Sequence, residues 1–175
     1  MSETYDFTTN NPSESSKESA SSASRSGEPT ILDRLRTELS KKIERSEILI
    51  EVPERPGVAI QISPNINQHQ LRAWRRQSGE NTKNGFDPTK FACYVIGHTC
   101  TGIYVDGEEA LNENGAPLSF ASPEILDMTN TTRPIPECVQ EFFGIDPHVE
   151  SAALVIMDAA GYGDEVEQVD PTRES

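Results

Sequence analysis

Cys93, His98 and Cys100 fall within eight positions, and thiolate and imidazole are the usual ligands of zinc. Positions 93 and 98 are five apart, which on a helix sets them near opposite sides, where an i,i+4 pair would share one face. No fourth ligand stands nearby. Cys93 as a nucleophile, with His98 or His148 as its base, would give covalent group-transfer chemistry, yet no glycine-rich strained elbow surrounds it. Gly161-Tyr162-Gly163 lacks the third glycine and the following helix that a phosphate cradle needs. The carboxylates are spread along the chain with no recognisable acid/base pair. These residues read as buried cysteines and a core or capping histidine. No catalytic residue, metal ligand or cofactor is expected.

The sharpest remaining cluster is Arg72, Trp74, Arg75 and Arg76, a tryptophan among arginines that could stack on bases, clamp an acidic peptide, or simply anchor in a core beneath solvated guanidinium groups. Charge weighs against nucleic acid. The 175 residues carry 15 Lys+Arg and 29 Asp+Glu, a net −14 that disfavours polyanions and anionic membranes as partners of the whole molecule. The charge is uneven. Residues 31–76 hold nine bases against six acids, and residues 77–175 four bases against eighteen acids. An interaction module without chemistry is favoured; the alternative class is a small enzyme or nucleic-acid binder whose site the sequence does not reveal. The start, Met1-Ser2-Glu3-Thr4, lacks the basic and apolar regions of an export signal, and three cysteines without a CxxC pair fit a reducing compartment.

These side chains need elements to position them. Hydrophobic residues make up only 34%, below the roughly 45–50% of an average domain, so part of the chain is expected to stay outside the core. Residues 1–29, built from Ser, Glu, Thr and Asn, cannot offset the entropy of ordering and are predicted to be a disordered tail, with Tyr5 and Phe7 a minor candidate docking motif. Thr30 and Asp33 stand at capping-box spacing, and Leu32, Leu35, Leu39 and Ile43 form an apolar stripe, predicting a helix of about four turns. From Glu47 the period changes to two, and Ile48, Ile50, Val52 and Val58, Ile60, Ile62 predict a hairpin across Pro53–Gly57.

A second capping box, Asn67 with Gln70, opens a helix through Trp74 and Arg76. Asp87-Pro88, with Phe86 and Phe91 as a hydrophobic staple, opens a central core helix reaching about Thr99. Ile103–Val105, an Asp106-Gly107 turn and a return strand at Pro117–Phe120 predict a second hairpin. Ser122-Pro123 and Asp146-Pro147 repeat the cap-then-proline signature, and a helix through Val139 and Phe143 should stop at Gly144. The expected fold is α+β: a mainly helical single domain, 30–163, with one or two β-hairpins, the disordered tail before it and an acidic flexible tail, 164–175, after it.

Taken in order, Phe86-Asp87-Pro88-Thr89-Lys90-Phe91, Val105-Asp106-Gly107-Glu108-Glu109, Pro117-Leu118-Ser119-Phe120 and Ala159-Ala160-Gly161-Tyr162-Gly163-Asp164 resemble the tail assembly chaperones of siphophages that infect actinobacteria. Their order and spacing carry the resemblance, which runs from about Thr30 to the end of the chain; the Ser-rich start is not a feature of that family. The resemblance implies a non-enzymatic factor of the host cytoplasm that binds the long helical tape measure protein, keeps it soluble and assists tail-tube assembly. It further implies the tail tube protein and a longer frameshift product as additional partners, this chain resembling the shorter product. The family transfers no catalytic residues. The candidate partner-binding residues are Arg72, Trp74, Arg75 and Arg76 on the second helix and Leu32, Leu35 and Leu39 on the first. A virion or host-takeover interaction module stands as the alternative.

Overall fold

A computed structural model describes residues 27–163 and Val166. The expected tails therefore lie almost wholly outside the described residues, Tyr5 and Phe7 included. The chain divides between Ile43 and Glu44.

On the N-terminal side stands one helix, α1 (Ile31–Ser40). Its capping box is as expected: the Asp33 N–H donates to Thr30 Oγ1 and the Thr30 N–H to Asp33 Oδ2, both at 3.1 Å. The helix is shorter than the predicted four turns. At Lys41 the backbone turns extended, so Ile43 and the bases Lys41, Lys42 and Arg45 fall beyond its end and are not in its last turn. The apolar pattern runs on past the helix, which is why the pattern overstates its length.

The remainder is α+β. Strands β1 (Ile48–Glu51), β2 (Val58–Ile62), β3 (Cys100–Val105) and β4 (Glu108–Glu109) form one antiparallel sheet in sequence order. The alternation of apolar residues sets its register: Ile50 lies opposite Ile60, and Ile60 opposite Ile103, so one sheet face is a continuous apolar row. Helices α2 (Gln68–Gln77), α3 (Pro88–Thr99), α4 (Pro123–Met128), α5 (Val139–Phe143) and α6 (Asp146–Ala159) supply the rest of the core. α3 is its centre, packing against α2, α5, α6 and the irregular turn Pro134–Cys138, with Cys93, Val95 and Ile96 fully buried. Gly97 makes one of these contacts. A Cβ there would lie 2.5 Å from Ile135 Cδ1, so glycine lets the Ile135 side chain seat against the helix where it does.

The second hairpin differs from expectation. Asp106 and Gly107 both take positive φ, as a tight two-residue hairpin turn requires, and the return strand begins at once with Glu108 and Glu109. Pro117 and Leu118 pair one step further out, where Leu118 N–H donates to Ala110 O. Two adjacent glutamates carry no strand pattern of their own; the turn geometry places them. Asp146 is likewise in the first turn of α6 with Ile145 at the cap, and Ser122 makes no side-chain capping bond.

Candidate functional site

α2 begins at its predicted capping box: the Gln70 N–H donates to Asn67 Oδ1 at 2.8 Å, and the Asn67 N–H to Gln70 Oε1 at 3.1 Å. This fixes the helix phase, so Leu71 and Trp74 turn into the core while Arg72, Arg75 and Arg76 face solvent. Trp74 is thus not a stacking platform for a ligand. Its indole lies parallel to the His98 ring, centroids 5.3 Å apart, and His98 also stacks on Tyr94 at 5.9 Å. The three arginines have no ion-pair partner among the described residues.

The polar loop after α2 folds back on it. Ser78 is buried, its hydroxyl donates to Trp74 O at 2.7 Å, and its carbonyl accepts the Asp87 N–H at 2.8 Å. This return sets Phe86 and Phe91, rings 5.5 Å apart, beside Arg75 and Glu80 around an open cleft of about 430 Å³. Phe86 remains 45% exposed. The Phe86–Phe91 spacing is legible in the sequence as a helix-start staple; that the staple also forms a cleft wall under Arg75 depends on the loop closing.

Cys93, His98 and Cys100 form no ligand set, and no cluster of three or more metal-ligating side chains occurs among the described residues. Burial holds the Cys93 thiol up at about 12 and that of Cys100 at about 11, the reverse of what a nucleophile or metal ligand needs. Cys93 is buried as expected and Cys100 half-buried, but His98 is an exposed residue in the last turn of α3 and not a core histidine; the part of its ring that is covered lowers its pKa. A second open cavity, of about 470 Å³, lies at the hairpin tips between Leu49, Glu51, Tyr104 and Asp106. The nearby Arg55 is committed elsewhere, donating to Glu141 O and Phe142 O at 3.0 and 3.1 Å.

Leu32, Leu35 and Leu39 stand on the other side of the Ile43/Glu44 division. They are 69%, 51% and 77% exposed, and α1 buries none of its residues. Among the described residues, no helix is long and apolar enough to cross a membrane. No protein-family model matches the chain, and neither a curated protein nor a solved structure matches it.

Proposed function

We propose that this chain is a phage tail assembly chaperone of the host cytoplasm, a non-enzymatic holdase that covers helical segments of a tape measure protein and keeps them soluble while the tail tube assembles. The observation that carries this reading is α1. A ten-residue helix is marginal by itself in water, yet this one is capped, carries a leucine stripe and buries none of its residues. Such a stripe, flanked by Arg34, Arg36 and Lys41, has the composition of a helix that completes its packing on an amphipathic partner helix. The arginines of α2, without ion-pair partners among the described residues, add charge that steers encounter, and the large excess of acid elsewhere keeps a loaded complex in solution. Coexpression with the tape measure protein of the same phage tests the reading. Its soluble yield should rise and the two should copurify; unchanged solubility without copurification contradicts it.

A further inference from the structure

The described chain ends beside the basic helix. The Tyr162 hydroxyl donates to Ile66 O at 2.8 Å, two residues before α2 begins. Asp164-Glu165-Val166-Glu167-Gln168-Val169-Asp170 follows directly, with four acids and no base. Arg72, Arg75, Arg76 and Lys83 face solvent without ion-pair partners among the described residues, and they stand on a body whose last 99 positions, 77–175, are strongly acidic. Glu80 shares the cleft wall with Arg75, and Asp87 is engaged in capping α3, accepting the Lys90 N–H.

We propose that segment 164–170 of this chain docks on the basic face of α2, its carboxylates on Arg72, Arg75 and Arg76 and Val169 in the open cleft walled by the Phe86–Phe91 pair, Arg75 and Glu80. Reach permits it. Extended backbone covers about 3.3 Å per residue, so Val169 reaches about 23 Å from Tyr162, while the ten residues of α2 span about 15 Å. Val166 is fully exposed, and the cleft, of about 430 Å³, has room for a valine side chain. Charge pairs of this kind at a surface are individually weak; tethering raises the local concentration of the segment, so several weak contacts suffice. Resting on the chaperone reading, the segment is a placeholder that keeps the basic face covered until an acidic stretch of the partner displaces it.

A nitroxide placed by Gln168→Cys in the full chain tests the docking. Cys93 and Cys138 are buried and Cys100 keeps its proton at neutral pH, so the new thiol labels selectively. At low salt the amide resonances of 72–77, 86, 87 and 89–91 should broaden about twofold or more relative to those of β1 and β2, and the excess should vanish near 0.5 M salt, where the screening length falls below about 5 Å. The triple variant Arg72→Glu, Arg75→Glu, Arg76→Glu should abolish it, with the salt titration of the unreversed chain as the control that needs no refolding. Uniform broadening, or broadening unaffected by salt, overturns the proposal. So does broadening that persists when labelled chain is mixed with isotope-enriched unlabelled chain, because that assigns the segment to a second copy. None of these readouts involves a tape measure protein, so the docking and the chaperone reading fail separately.

Discussion

Trp74 is the sole tryptophan, and its stacking on His98 makes it a reporter of that ring's charge. His98 is exposed, and the partial burial of its ring lowers its pKa from the usual 6.5. The unfolded chain therefore binds a proton at His98 before the folded chain does, and stability is lost as pH falls from about 6.5 through the lower folded value. Imidazolium quenches an adjacent indole, so Trp74 emission should fall on acidification with a midpoint below 6.5, and His98→Phe should remove the transition while keeping a stacked ring. The cysteines act at the other end of the scale. Cys93 ionises near 12 in the fold but near 9 when unfolded, so stability should decline as pH rises between those values, with Cys100 contributing up to about 11. Cys93→Ala should flatten the alkaline arm of a denaturation series while costing roughly 1–2 kcal/mol at neutral pH through the vacated volume. Neither partnership was legible in the sequence. Trp74 and His98 are 24 positions apart, and only the closure of the 78–85 loop brings α2 against α3.

Among the elements, those whose signal is local were legible. Both capping boxes, the proline at the start of α3 and the Ile48–Ile62 hairpin depend on residues a few positions apart, and each forms as the spacing predicts. Elements defined by where the chain leaves them were less so. α1 stops three residues before its apolar stripe does, and β4 consists of two glutamates that acquire strand geometry from the Asp106-Gly107 turn. Of the candidate site, the outward face of Arg72, Arg75 and Arg76 followed from helical phase, whereas the Phe86–Phe91 cleft required a loop to return on α2. Gly97 is a contact of the same non-local kind. Alanine would gain about 1 kcal/mol of helix propensity but displace the half-buried Ile135 side chain from its seat on α3, an overpacking cost of about 1–3 kcal/mol. Gly97→Ala should therefore lower the urea midpoint, and still more so Gly97→Val, with the far-UV circular dichroism unchanged.

At the scale of the molecule, the acidic body, the basic face of α2 and the exposed leucine stripe of α1 are the features on which the proposed holdase function rests. On that proposal the basic face would govern encounter and salt sensitivity, and the stripe would govern how long the partner stays, since apolar burial is insensitive to screening. These contributions separate experimentally, and the stripe carries the central claim. The decisive measurement is calorimetric titration of an amphipathic tape measure segment into the full chain and into a variant carrying Leu32→Ser, Leu35→Ser and Leu39→Ser. Because α1 buries none of its residues, the variant should melt at the same temperature as the parent. Burying each leucine against a partner stabilises the complex by about 1.5–3 kcal/mol, so the variant should lose at least about a hundredfold in affinity, the heat-capacity change of binding shrinking with it. Equal affinities and equal heat-capacity changes for the two proteins would contradict the account.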